Sequence, residues 1–238
     1  MSTKTQLRPH TLTQERLDLI RPLFGPGVAI AAFHPMDQVP TPFAEELACL
    51  SPRAVDKRRR EFAAGRAAAH QAMRDLGQIP RPITVAQTRA PIWPRGITGS
   101  ITHTHSCAIA AVTPVSPLRA VGIDVEEDTP LKEDLRPAIC TSSELSWLAQ
   151  QENPGQMGKL LFSAKEAAYK CQHTISQAYF GFDGMELEIE ADVHTSGVKG
   201  DFIARFTADQ PPFKRGSAIK GAYVIGAGII FTTASLGE

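Results

Sequence analysis

The chain has 238 residues, 21% charged and 42% hydrophobic, with 25 Lys plus Arg against 25 Asp plus Glu and a formal net charge of +0. That length and composition can bury a core without staples and exclude global disorder. Zero net charge argues against a protein that coats nucleic acid, although a local basic patch can still bind phosphate.

Cys49, Cys107, Cys140 and Cys171 are scattered, with no C-x-x-C pair. This argues against structural zinc and a disulfide framework, and for reduced thiols in a cytoplasmic protein. Met1 to Pro9 is polar, so no secretory leader is expected. The longest apolar stretch, Gly221 to Phe231, falls short of the roughly 20 residues a membrane span needs.

In chain order, residues 1–27 are polar and broken by Pro9, Pro22 and Pro26, and residues 28–33 (VAIAAF) read as a buried strand. Ser51-Pro52 reads as the N-cap and first position of a helix. Phe62, Ala69, Met73 and Leu76 give that helix its stripe, and Gly77 reads as its C-cap. A Pro-rich connector follows, then apolar strands at 107–113 (CAIAAVT) and 120–125 (AVGIDV). The turn with Pro114 and Pro117 marks the midpoint, dividing the chain into 1–117 and 118–238. Beyond it come an acidic loop, a helix capped by Thr141 or Ser142, and a strong helix over 159–172. Strand patterns follow at 185–193, at Phe202, Ala204 and Phe206, and at 224–232. The fold class is α+β: two halves of similar size, each pairing a long helix with antiparallel strands.

Asp124 and Glu126 are two apart at a strand end and share a face. Two such carboxylates are either solvated or hold a cation between them, and their oxygens suit Mg²⁺. Ser163, Glu166 and Lys170 fall on one helical stripe. Glu166 and Lys170 make either an exposed i,i+4 ion pair or a third metal ligand (or base) beside a phosphate ligand. Arg58 and Arg66 lie on one helix within a basic run. Such runs are often solvated faces, but guanidinium groups also grip phosphate. In GSITHTH (99–105), His103 and His105 would share a strand face without a third metal ligand. Thr102 and His103 fit better as phosphate donors, with Gly99 admitting a close backbone. No P-loop, G-x-G-x-x-G, G-x-S-x-G or H-E-x-x-H occurs.

Together WPRGITGSITH (93–103), VGIDVE (121–126), FSAKEAAYK (162–170) and the helix RRREFAAGRAAAHQAM (58–73) resemble the 4′-phosphopantetheinyl transferases. The likeness is to the larger pseudodimeric kind, in the enterobactin-synthase component D branch. It implies two halves related by a pseudo-two-fold axis, and transfer of 4′-phosphopantetheine from coenzyme A to a serine of an apo carrier protein, releasing 3′,5′-ADP. It also implies Mg²⁺ held by Asp124, Glu126 and Glu166, with Lys170 on a phosphate. Glu166 is the candidate base, directly or through a water on the metal. Arg58, Arg66, Arg89, Thr102 and His103 are implied for the nucleotide and its phosphates. Lys165 belongs to the motif and is counted with the coenzyme A-binding residues. In this reading, 1–117 binds the nucleotide, while 118–238 holds the metal and docks the carrier between Glu126 and Ser163, using Leu135, Ile139 and Leu148. Acyl, peptidyl and aryl carriers of siderophore, nonribosomal-peptide or fatty-acid synthesis are all candidate partners, and a monomer is expected. A Mg²⁺-dependent phosphohydrolase and a silent carrier-binding module are the alternatives.

Overall fold

A computed structural model describes residues 9–116, 118–194 and 197–237. The leader reading at Met1 to Arg8 and the midpoint residue Pro117 lie outside the described residues. The first half runs α1 (Pro9–Ile20), β1 (Ala29–Phe33), α2 (Ala44–Leu47), α3 (Asp56–Asp75), β2 (Thr84–Val85), β3 (Pro91–Ile92), β4 (Ile97–His103) and β5 (Ala108–Pro114). The second runs β6 (Leu118–Glu127), α4 (Arg136–Ile139), α5 (Ser142–Leu148), α6 (Pro154–Ser176), β7 (Met185–His194), β8 (Gly197–Phe206), β9 (Ala218–Gly226) and β10 (Ile229–Gly237). The result is a mixed α/β protein with small antiparallel sheets.

Both halves follow one wiring rule. The three-stranded sheet has the order β1-β5-β4 and the five-stranded sheet β6-β10-β9-β8-β7. In each, the last strand lies between the first and the one before it. The long helix α3 packs on the first sheet through Ala68, Ala69, Ala72 and Met73. Helix α6 packs on the second through Leu160, Ala164, Ala167, Ala168 and Cys171. A third apolar cluster joins the halves, with Ile30 and Ile109 on one side, Val121, Ile123, Val125 and Phe231 on the other, and Ile20 of α1 between them.

A short helix in each half carries a buried glutamate with the same duties. Glu46 Oε2 accepts the Phe43 amide, and its Oε1 accepts the Ile83 amide and His70 Nε2, all within 2.9 Å. Glu144 Oε2 accepts the Thr141 amide and Lys165 Nζ at 2.7 Å each, and its Oε1 accepts the Leu187 amide at 2.8 Å. Each carboxylate thus ties a short helix to a strand region and to a side chain of the long helix, His70 in one half and Lys165 in the other. Burial alone would raise Glu46, but hydrogen bonds from His70 and the Ile83 and Phe43 amides hold it below its ordinary pKa.

The structure corrects several expectations. Residues 9–20 form a helix, with Pro9 at its start. The long helix of the first half begins at Asp56 rather than Ser51. Ser51 instead closes a turn with Ala54, and Arg59 folds back onto the Pro52 and Ala54 carbonyls. The run 224–232 is two strands, because Ala227 and Gly228 both take positive φ, 49° and 74°, the signature of a tight two-residue hairpin.

Candidate active site

Alternation along β6 makes the site. Val121, Ile123 and Val125 enter the shared core, so Gly122, Asp124 and Glu126 face the other way, toward α6. Two strand residues advance about 6.6 Å and four helical residues about 6 Å. The two elements therefore keep step: Ala167 lies over Gly122, Ser163 bonds Asp124, and Lys159 bonds Glu126. A Cβ at Gly122 would collide with the Ala167 carbonyl, so the close approach of α6 requires glycine there.

Asp124 is 5% exposed. Its Oδ1 accepts Lys170 Nζ at 2.6 Å and Thr102 Oγ1 at 3.1 Å, and its Oδ2 accepts Ser163 Oγ at 2.9 Å. Thr102 comes from β4, the edge of the other sheet. Strands β4 and β6 are joined through side chains, with the Ile123 amide donating to Ser100 Oγ and the Val125 amide to Thr102 Oγ1. Asp124 thus sits on the seam between the halves.

Glu126 pairs with Lys159 at 3.1 Å. Burial and the neighbouring Asp124 push its pKa up, against the two lysines. Burial also pushes Glu166 up, with Lys170 opposing and Asp124 and Glu126 adding to the rise. The local Glu166–Lys170 ion pair does not form, because Lys170 turns to Asp124. As these side chains stand, no three His, Cys, Asp or Glu groups among the described residues gather tightly enough for a metal ion. Lys170 and Lys159 take the carboxylates instead. The donor set still fits a hard divalent cation: three electrostatically coupled carboxylates with one, Glu166, lacking a hydrogen-bond partner among the described residues.

Two clefts adjoin this centre. One, of about 370 Å³, is lined by Arg58, Glu61, Arg66, Arg89 and His103. The other, of about 550 Å³, is lined by Arg89, Trp93, Gly99, Glu166, Tyr169 and Lys170. Arg89, Pro91 and Ile101 belong to both. Arg89 holds a positive φ of 67°, an uncommon backbone state for a residue other than glycine. Arg58 Nη1 lies 2.9 Å from His103 Nε2, so Nε2 accepts and the ring is neutral. Burial lowers the His103 pKa, with Glu61 and Asp124 opposing and Arg58 and Lys170 assisting. Arg66 is buried over the Phe62 ring, with Nε on the Ile83 carbonyl. Its Nε also lies 3.7 Å from Glu46 Oε1, and the residue lines the cleft.

The other expected residues have surroundings of their own. Thr102 Oγ1 is engaged between the halves: its one proton goes to Asp124 and its lone pair to the Val125 amide. Residues 102 and 103 point to opposite faces of β4, as strand alternation requires. Lys165 is 2% exposed and spends its three donors on Glu144, the Ile139 carbonyl and the Phe182 carbonyl. It has none left for a ligand. Ile139 and Leu148 are core residues, 8% and 2% exposed, which leaves Leu135 exposed on the expected docking surface. His105 lies beyond the end of β4 and faces Glu127, not His103. The residues sequence reading missed are Ser163 as a partner of Asp124 and Thr232 behind it. Ser163 lay on the right stripe, whereas nothing local marks Thr232.

Two family models match: residues 45–113 fit the 4′-phosphopantetheinyl transferase N-terminal domain and residues 120–225 the 4′-phosphopantetheinyl transferase superfamily. The chain is 34% identical over 203 residues to the 4′-phosphopantetheinyl transferase Svp of Streptomyces mobaraensis, covering 83% of this chain and 80% of that one. It is 32% identical over 198 residues to PptT of Mycobacterium tuberculosis, covering 81% and 85%. Enterobactin synthase component D of Salmonella typhi matches at 37% over 117 residues, 48% of each chain.

Proposed function

The chain belongs to the 4′-phosphopantetheinyl transferase superfamily, and from that premise we propose how its residues move 4′-phosphopantetheine from coenzyme A to a serine of an apo carrier protein. One observation carries the assignment of roles. A cleft lined by Arg58, Arg66 and His103 adjoins, across the shared Arg89, a second cleft lined by Glu166 and Lys170. An elongated substrate with three phosphates at one end and its reacting phosphorus toward the middle needs that sequence of groups.

In this reading Arg58, Arg66 and His103 hold the nucleotide end, and Arg89 bridges it to the pyrophosphate. Asp124, Glu126 and Glu166 would hold Mg²⁺, which when bound neutralises pyrophosphate charge. Lys170 adds a positive charge on the same side. Glu166, whose raised pKa brings it nearer neutrality, takes the proton of the attacking serine. The serine oxygen bonds to the phosphorus that carries the pantetheine arm, the bond from that phosphorus to the bridging oxygen breaks, and 3′,5′-ADP leaves.

The halves divide between residues 117 and 118, nucleotide binding falling to the first and the carboxylates and carrier docking to the second. The shared strand wiring and the paired glutamates Glu46 and Glu144 support a pseudo-two-fold relation between them. One chain then supplies both sides of the site, and a monomer suffices. Free Cys49, Cys107, Cys140 and Cys171 suit the cytoplasm, and among the described residues no helix is long and apolar enough to cross a membrane. The acceptor is an acyl, peptidyl or aryl carrier of siderophore, nonribosomal-peptide or fatty-acid synthesis, docking near Leu135. Intact-mass measurement of apo carriers incubated with coenzyme A and Mg²⁺ tests the reaction. Phosphopantetheine should appear on the carrier serine. Nucleotide release without carrier labelling would point to a phosphohydrolase, and neither product to a binding module.

A further inference from the structure

The carboxylate of Asp124 is held more completely than a surface metal ligand requires. Each carboxylate oxygen offers about two acceptor positions. Oδ1 uses both, for Thr102 and Lys170, while Oδ2 uses one, for Ser163. The one position left is on Oδ2. Behind Ser163 stands Thr232 of β10. Its hydroxyl lies 2.9 Å from Ser163 Oγ and donates to the Ser163 carbonyl at 2.9 Å. Ser163 and Thr232 are both 0% exposed, so these bonds lie away from bulk solvent. Thr232 thus fixes the Ser163 backbone through its carbonyl, and the Ser163 proton goes to Asp124. Thr102 is turned the same way because its lone pair takes the Val125 amide. Both hydroxyls therefore present protons to the Asp124 carboxyl oxygens, one from each half.

We infer that Ser163 and Thr232, with Thr102 across the seam, are positioning residues that aim the free acceptor of Asp124 Oδ2, so that the buried Thr232 hydroxyl sets how tightly the carboxylate site takes a divalent cation. This rests on the reading of Asp124 as a metal ligand. Residues behind a metal ligand change affinity by about 10- to 100-fold when removed.

The test is a Mn²⁺ titration of the full chain with coenzyme A present, read by the electron paramagnetic resonance of free Mn²⁺. Thr232→Val keeps the shape and removes the hydroxyl. It should weaken Mn²⁺ binding by about 10-fold or more and raise the Mg²⁺ needed for half-maximal turnover in step. The KM for coenzyme A at saturating Mg²⁺ should stay put, and Thr232→Ser should restore affinity. Ser163→Ala should repeat the loss, and it replaces Thr232→Val should that variant not fold. A lower melting temperature with wild-type Mn²⁺ affinity in these variants, while Asp124→Asn loses the ion, overturns the positioning role alone. Wild-type affinity in Asp124→Asn overturns the ligand reading beneath it.

Discussion

The two halves share a scaffold and differ in what the scaffold carries. Each inserts its last strand beside its first, and each anchors a short helix with a buried glutamate. Yet the first strand of one half, AIAAF in β1, has no ionisable group, and its counterpart β6 carries Asp124 and Glu126. Both strands fold, so the fold does not require these acids. The same split runs along α6, where Lys165 has every donor satisfied and the adjacent Glu166 has no hydrogen-bond partner among the described residues. Lys165 is spent on holding the molecule together, and Glu166 is left open toward the cleft.

The largest effects should come from breaking the satisfied set. Glu144→Ala strands the Lys165 ammonium in the core, and Glu46→Ala strands the amides and His70 around it. Each should cost about 3–5 kcal/mol in urea unfolding, the scale for a buried pair that loses one partner. A cost in one half but not in the other would end the comparison between them. Next, Glu166→Gln should lower kcat by at least about 10²-fold without loss of stability. An unchanged kcat would make Glu166 a bystander.

In the cationic cleft, Arg58→Ala and His103→Ala should weaken coenzyme A by about 10- to 150-fold, the worth of one charge-assisted hydrogen bond. Dephospho-coenzyme A should weaken much less if the lost contact is to the 3′-phosphate. Equal losses on both would move that contact elsewhere. The smallest effect is thermal. A carboxyl whose pKa is raised on folding contributes stability below its unfolded value and loses it as pH rises through the folded one. Glu166 is such a group. Glu166→Gln should therefore melt a few degrees above wild type at pH 8, and the gap should close toward pH 4.5. A constant gap at both pH values would remove the titration argument.

Much of this was legible in the sequence, for physical reasons. Periodicity exposed α3 and α6 because each buries one continuous face, and β6 showed as an apolar run because it is buried on both. Gly77 marked the end of α3 because its φ of 70° suits glycine. Helix α1 was hidden because its apolar residues cover only a narrow seam between the halves. The β9–β10 hairpin was read as one strand because apolar residues flank its turn on both sides. Asp124, Glu126 and Glu166 were legible as a group through motif order. Lys165 was not separable from Glu166, because only tertiary packing turns one into the core and the other into the clefts. Thr102 and His103 read as one unit in the motif, but neighbours on a strand face opposite ways, so each has its own surroundings.

The wiring of the sheets has a consequence for how the chain is made. Synthesis runs from the N-terminus, and domains close as units. Strand β6 is among the first parts of its half to leave the ribosome, but its ladder partner is β10, with Glu127 opposite Ile229 and Leu118 opposite Gly237. Until β10 emerges, β6 has no sheet to join, Asp124 lacks the Thr232 end of its hydroxyl chain, and the face built from Val121, Ile123 and Val125 is exposed to whatever is near. The first half can close earlier, because β5 precedes β6. A ribosome stalled between β9 and β10 should thus hold a folded first half and an open second one, with its carboxylates still unaimed.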